Sequence, residues 1–269
     1  MTENSKPADP SRREFVVKAS AATSAAAIAP GVFLTAPASA RPADQPVTSD
    51  KRWGILVDTN KCADNCDDCV TACETENGWA NSEPNSAPEQ RTQWIRTVEI
   101  RNKSTGYAKT LPLMCQHCET APCVDVCPTG ASFRREDGIV LVDKHICIGC
   151  RYCMMACPFN IPKFEWEERA PKIVKCELCN HRLAEGKEPG CTEVCPRHAV
   201  IFGTREELLA EAKKRISENP GRYVDRIYGE TDAGGTQCLY LSHVPFEKLG
   251  LPEIGDDAVP SLNRQVQHG

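Results

Sequence analysis

The sequence predicts an α+β fold: two small interleaved modules with short hairpins and helices, followed by a C-terminal extension with one helix and one strand. Three observations predict it. Sixteen of the 17 cysteines fall into four groups of four with short, repeating gaps. Short apolar runs bounded by Gly, Asp and Pro flank these groups and read as β-strands. With 7 Phe, 5 Tyr and 4 Trp in 269 residues, the chain has little large apolar material for several conventional cores.

The N-terminus comes first in chain order. Ser11-Arg12-Arg13-Glu14-Phe15-Val16-Val17-Lys18 resembles a twin-arginine export signal. A mild, alanine-rich apolar run from Ala19 to Thr35 follows it. Ala38-Ser39-Ala40 then offers a small-x-small cleavage pattern, so the mature chain is expected to begin at Arg41. That export route carries proteins already folded, often with a cofactor inserted. The cysteines therefore read as cofactor ligands held in the periplasm, not as disulfides. No other segment approaches the roughly 20 apolar residues of a membrane-spanning helix. The predicted organisation is a signal over 1–40, a cysteine-rich domain over 41–202 and a C-terminal extension over 203–269. Removing residues 1–40 takes away four basic and three acidic side chains, so the formal charge goes from −5 to −6. No basic patch suggests nucleic acid.

The first quartet is Cys62-x3-Cys66-x2-Cys69-x3-Cys73. The second is Cys115-x2-Cys118-x4-Cys123-x3-Cys127, followed by Pro128. The third, Cys147-x2-Cys150-x2-Cys153-x3-Cys157, is followed by Pro158. The fourth is Cys176-x2-Cys179-x11-Cys191-x3-Cys195, followed by Pro196. Each iron of a cubane needs one thiolate, and a loop with a cysteine at every third position can wrap three corners. The last cysteine lies beyond the loop, at the start of a new turn, and serves the neighbouring cluster. The Pro after it lacks an N–H and sets φ where that turn begins. Zinc is the competing reading, since all-thiolate tetrahedral sites are common. Zinc ribbons, however, use two separated C-x2-C pairs. Disulfides fit worse, because cysteines three apart in a tight loop bridge one another poorly.

The remaining elements follow in order. Gly54–Asp58 reads as a strand leading into the first quartet, and Trp94–Ile100 alternates as a strand. Lys109–Met114 suggests a hairpin entering the second quartet. Ser132–Arg135 and Ile139–Val142 read as a hairpin on Asp137-Gly138 that delivers the chain to the third quartet. Ala199–Phe202 is a further strand. Thr204-Arg205-Glu206-Glu207 has the form of a capping box opening a helix to about Ser217, which Asn219-Pro220-Gly221 ends. Cys238–Leu241 is the last strand, and an irregular tail follows Leu251.

The whole pattern resembles the four-cluster ferredoxin subunits of the DmsB/NrfC/HybA type, whose modules are bacterial-ferredoxin-like. The resemblance implies that the first quartet exchanges its last cysteine with the fourth, and the second with the third. One cluster then takes Cys62, Cys66, Cys69 and Cys195, and its neighbour Cys176, Cys179, Cys191 and Cys73. A third takes Cys115, Cys118, Cys123 and Cys157, and the last takes Cys147, Cys150, Cys153 and Cys127. Four 4Fe–4S clusters are implied. The extra residue in Cys62-Ala63-Asp64-Asn65-Cys66 departs from the family pattern. A lengthened loop with Asn65 in the left-handed region accommodates it, and a 3Fe–4S cluster there is the alternative.

Within this family the chain is most similar to the DsrO ferredoxin of the DsrMKJOP complex. The similarity rests on the twin-arginine start, Thr75-Glu76-Asn77-Gly78 after the first quartet, and the runs Asn219–Tyr223 and Tyr240–Ser242. HybA-type members carry a C-terminal membrane helix, and this chain ends without one. The implied role is an electron-transfer subunit, itself non-catalytic, in a sulfur-metabolism complex. Its implied partners are a NrfD/DsrP-like membrane subunit that interacts with quinone, and a multihaem cytochrome c with further complex subunits. The iron–sulfur subunit of a molybdopterin oxidoreductase or hydrogenase is the alternative. A zinc-stabilised interaction protein is the reading from another class. No nucleophile–base pair or nucleotide loop stands out. His117, inside the second quartet, is expected to pack and not to ligate. His145 and His181 lie near the cysteines in sequence. Cys238 is expected as a small apolar residue in its strand. Trp53, Trp79, Trp94 and Trp166 read as core or interface anchors.

Overall fold

The structure, a computed structural model, describes residues 47–79, 91–106 and 108–261. The expected export signal lies outside these residues. The architecture is α+β, with short strands and short helices around the cysteines. β1 (Trp53–Asp58) is the centre of a three-stranded sheet in the order β8-β1-β9. β8 (Val200–Thr204) runs antiparallel to it, pairing Ile55 with Phe202, while β9 (Cys238–Leu241) runs parallel, pairing Ile55 with Cys238. The C-terminal extension thus contributes a strand to the sheet that feeds the first quartet.

Every residue of β1 is buried, because both faces of the sheet are covered and successive side chains alternate between them. Trp53, Ile55 and Val57 point into the core shared with the cysteines, together with Cys238 and Tyr240 of β9. Leu56, with Leu239 and Leu241, faces the other way onto Leu208 and Ala212 of the long helix. That helix, Arg205–Glu218, starts on the expected capping box: the Thr204 hydroxyl accepts from the Glu207 N–H, and the Glu207 carboxylate accepts from the Thr204 N–H at 3.0 Å. Gly54 has a particular reason to be glycine: a Cβ there would run into the Gln237 carbonyl oxygen as β9 arrives.

A buried ion pair ties the helix to the sheet. Asp58, fully buried at the end of β1, accepts from Arg215 Nη1 at 3.0 Å and from the Tyr223 hydroxyl at 2.9 Å. Its other oxygen accepts from the Asn60 N–H at 3.1 Å and so shapes the turn into the first quartet.

Three hairpins complete the scaffold. β2 (Ile95–Arg101) pairs with β3 (Ala108–Met114), so the strand expected at Trp94–Ile100 is the partner of the one entering the second quartet. β4 (Ser132–Arg134) pairs with β5 (Val140–Val142) ahead of the third quartet. Its connection is longer than a two-residue turn. The Gly138 N–H donates to the Arg135 carbonyl at 3.0 Å, and Gly138 takes the positive φ of 88°. β6 (Lys163–Phe164) and β7 (Ile173–Val174) form a hairpin that leads to the fourth quartet. Strands this short carry too little periodicity for the sequence to announce them.

Candidate metal centres

Short helices hold many of the cysteines. α1 (Asp68–Asn77) carries Cys69 and Cys73, and α2 (Pro122–Asp125), with Pro at its start, carries Cys123. α3 (Tyr152–Ala156) carries Cys153, and α4 (Asn180–Ala184) follows Cys179. α5 (Gly190–Glu193) carries Cys191, and α6 is the long helix Arg205–Glu218. A common local geometry underlies the four quartets. The residue just before the second cysteine lies in the left-handed region each time: Asn65 (φ 57°), His117 (46°), Gly149 (68°) and Leu178 (54°). This reversal turns the chain around a central space. It also lets the N–H of residue three in a C-x2-C loop point back: His117 N–H donates to Cys115 Sγ, and Leu178 N–H to Cys176 Sγ, both at 3.4 Å.

The last cysteine of three quartets opens a β-turn with Pro second and a left-handed residue fourth. The turns are Cys127–Gly130, Cys157–Asn160 and Cys195–His198, each closed by the fourth N–H donating to the cysteine carbonyl at 3.1–3.3 Å. Each of these cysteines follows the end of a short helix. Pro is suited to the second position because its fixed φ matches the turn and no N–H is required there.

The sixteen side chains gather around four spaces. Cys62, Cys66 and Cys69 line one cavity with Cys195. Cys176, Cys179 and Cys191 line a second with Cys73. Cys115, Cys118 and Cys123 line a third with Cys157. Cys147, Cys150 and Cys153 line the fourth with Cys127. Cys62 takes its place despite the longer loop, because Asn65 adopts the left-handed turn and donates its N–H to Thr110 Oγ1 at 3.1 Å. Among the described residues no three Cys, His, Asp or Glu side chains converge as a site for one metal ion. Each set of thiols surrounds a space instead, which suits a group of several atoms whose metals each take one thiolate.

Most of these thiols are harder to ionise than usual. Burial pushes Cys62 and Cys157 up to about 11, and Cys69, Cys73 and Cys153 up to about 12, with neighbouring cysteines adding to each shift. The same causes raise Cys118, Cys176 and Cys191 well above the ordinary thiol value. Thiols held this way favour the neutral form until a metal replaces the proton. Cys127 runs the other way: although burial opposes it, hydrogen bonds from Ser132 and Thr129 lower its pKa.

Shared elements order the cavities. α1 gives Cys69 to the Cys62 cavity and Cys73 to the Cys176 cavity, Lys175 beside Cys176 lines the Cys115 cavity, and α2 with Cys123 packs against α3 with Cys153. The Cys62, Cys176, Cys115 and Cys147 cavities are therefore neighbours in that order.

Lys175 carries no signal in the sequence beyond its place before Cys176. It is fully buried, lines the Cys115 cavity, and donates from Nζ to the Val140 carbonyl and, at 3.1 Å, to the Cys176 carbonyl. Burial works against its charge, yet Cys115, Cys123, Cys176 and Glu177 more than offset this and raise its pKa. His117 is also buried and lines none of the four cavities. Its Nδ1 accepts from the Val140 N–H at 3.0 Å, and burial, then Lys175 and Arg135, lower its pKa well below the ordinary histidine value. His145 is exposed, and His181 faces Glu76 at 3.2 Å on the surface. Cys238 is buried outside the four cavities, with burial pushing it up to about 12. Trp53 stacks on Phe202 with ring centroids 5.1 Å apart, and Trp166 is substantially exposed.

Known proteins are similar to this chain. Residues 107–205 match the 4Fe-4S dicluster domain family. The chain is 38% identical, over 255 residues, to the hydrogenase-2 operon protein HybA of Escherichia coli O157:H7, covering 80% of this chain and 77% of that protein. It is 33% identical over 259 residues to the Hdr-like menaquinol oxidoreductase iron-sulfur subunit 1 of Archaeoglobus fulgidus, covering 78% of this chain and 91% of the relative. Over 162 residues it is 37% identical to the B polypeptide of the anaerobic dimethyl sulfoxide reductase of Shigella flexneri, covering 58% of this chain and 76% of that polypeptide. With its cysteine-lined cavities and these relatives, the chain belongs to the DmsB/HybA-type family of iron–sulfur ferredoxin subunits, non-catalytic electron-transfer proteins of membrane-associated oxidoreductase complexes.

Proposed function

We propose that the sixteen cysteines of the four quartets hold four 4Fe–4S clusters in two interleaved ferredoxin-like modules. The first module joins the first and fourth quartets, and the second joins the second and third. The observation that carries this reading is that each of the four cavities is lined by four cysteines, three from one quartet and the last from another. When bound, each cluster supplies a site that takes up and releases one electron. The protein's residues hold, insulate and bias these sites. Burial by Leu178, Val140 and Ile161 keeps water from the inner cavities. Backbone N–H groups directed at Cys115, Cys176, Cys127 and Cys195 Sγ stabilise negative charge on the sulfurs. The row of four cavities makes the chain a wire with two ends.

The physiological reading is a periplasmic, DsrO-like subunit exported by the twin-arginine route through residues 1–40, with its cluster domain over 41–202 and its extension over 203–269. It passes electrons between a NrfD/DsrP-like, quinone-interacting membrane subunit and the redox partners of a sulfur-metabolism complex, a multihaem cytochrome c among them. The menaquinol oxidoreductase named in the A. fulgidus relative favours a quinone-linked role. No helix of the described residues is long and apolar enough to cross a membrane, so attachment through a partner subunit fits the described part of the chain. At the Cys147 end, Ile148, Tyr152 and Met155 are exposed beside the exposed Cys150, as a docking face requires. The likeness to HybA favours a second reading, a hydrogenase electron-transfer subunit.

Affinity purification from native membranes, with identification of the bound subunits, separates the two. A quinone-interacting membrane protein with a multihaem cytochrome supports the DsrO-like reading, and a hydrogenase large subunit rejects it.

A further inference from the structure

A buried cation stands at the Cys115 cavity, on the residue that leads the chain into the Cys176 cavity. Lys175 leaves β7 directly before Cys176, which lines one cavity, while its side chain lines the neighbouring Cys115 cavity. Its side chain shares that lining with Cys115, Cys118, Cys123 and Cys157, and Glu177, a carboxylate in electrostatic contact with it, lines the Cys176 cavity. Its hydrogen bonds go to two main-chain carbonyls, those of Val140 and Cys176. Among the described residues no carboxylate lies within ion-pair distance of it. A buried ammonium without a counter-ion is strongly unfavourable. The nearby His117, neutral and already accepting from Val140 N–H, supplies no negative charge.

We propose that the Lys175 ammonium is the shared counter-charge of the two inner clusters and raises the reduction potential of both above that of a neutral wall. This rests on the four-cluster reading given above. A cluster with four thiolate ligands is anionic, and reduction adds one further negative charge to it. The electron comes from the redox partner at one end of the wire, and no proton or bond changes hands. A fixed positive charge between two such groups therefore favours their reduced forms over their oxidised ones. The outer clusters, at the Cys62 and Cys147 cavities, lie beyond the inner pair and are affected less.

The test is a potentiometric titration followed by EPR on the purified, cluster-loaded chain, with iron content measured on each sample. The signals lost in C118S and C179S identify the inner clusters. Lys175→Met removes the charge at similar volume. Lys175→Gln removes the charge but keeps a donor for the Val140 carbonyl, and Lys175→Arg keeps the charge. In either neutral variant both inner clusters are expected to become at least about tenfold harder to reduce, about 59 mV for one electron. The outer pair should change less, and K175R should stay close to wild type. Failure of both neutral variants to load the inner clusters, with normal loading of K175R, also supports a counter-charge. Unmoved inner potentials in a fully loaded K175M or K175Q would overturn the proposal, as would equal shifts in all four clusters or equal loss of loading in all three variants. A wild-type chain without four clusters would overturn the four-cluster reading itself and this proposal with it.

Discussion

Cys195 lines the same cavity as Cys62, although the two come from the last and the first quartets. Reciprocally, Cys73 stands with Cys176, Cys179 and Cys191. The exchange is imposed by chain direction. Cys73 sits on α1, beyond the loop that wraps its own quartet's cavity, and α1 packs against α5, which carries Cys191. Cluster binding would therefore tie the two ends of the domain together.

Double substitutions test the exchange. C62S and C195S are each expected to remove or damage the same cluster, so the C62S/C195S double variant should lose about four iron atoms per chain, no more than the worse single variant. C62S/C191S should lose about eight, because those residues serve different clusters. Iron analysis of purified protein decides it. Additive loss in C62S/C195S contradicts the exchange.

The Asp58–Arg215 pair predicts a large stability effect from residues that line none of the four cavities. Arg215→Met leaves the fully buried Asp58 carboxylate with the Tyr223 hydroxyl and Asn60 N–H but without its hydrogen-bonded cation. Breaking a buried pair in this way costs about 3–5 kcal/mol. Denaturant unfolding of the cluster-loaded protein should show that loss, and the D58N/R215M double variant should recover part of it. A loss within the scatter of surface substitutions would mean that the pair is not structural.

Gly149 predicts a selective loading defect. It has φ 68° between Cys147 and Cys150, and a Cβ there would stand 2.8 Å from the Pro171 carbonyl oxygen and 3.0 Å from the Phe164 ring. G149V combines that clash with a left-handed β-branched residue. It is expected to lose the Cys147-cavity cluster and keep the others. EPR of the reduced protein reads the missing signal, and full retention of all signals contradicts the role given to this turn.

The thiol shifts set a pH dependence. An ordinary cysteine ionises near about 8.5, whereas Cys62 and Cys157 are held up to about 11 and Cys69, Cys73 and Cys153 up to about 12. Because these pKa values are raised, the neutral thiols support the cluster-free fold below about pH 8.5. Above it the unfolded chain binds fewer protons than the folded one, so that support declines as pH rises towards the folded values. Ligation needs thiolates, so anaerobic reconstitution should keep accelerating above pH 9. A rate that levels off at the ordinary thiol pKa would show that the buried thiols do not limit loading.

Much of this was legible in the sequence, because cysteine spacing and turn residues are local signals. The quartets, the strands at Gly54–Asp58 and Cys238–Leu241, the 132–142 hairpin and the Thr204 capping box all depend on neighbours in the chain. The left-handed turn at Asn65 could be anticipated, since Asn tolerates it. The matching turn at Leu178 could not, because nothing in a leucine side chain favours that region and tertiary packing imposes it. Lys175 was silent for a related reason: its significance lies in being buried between two cavities built from distant segments. The parallel pairing of β9 with β1 likewise joins residues too far apart in the chain for any local pattern to show.

The most direct test of the central claim is the iron and acid-labile sulfide content of anaerobically purified full-length protein, read alongside its EPR spectrum after reduction. The account predicts about sixteen of each per chain and the interacting signals of four reduced 4Fe–4S clusters. A colourless protein with about four zinc ions and no sulfide would contradict it.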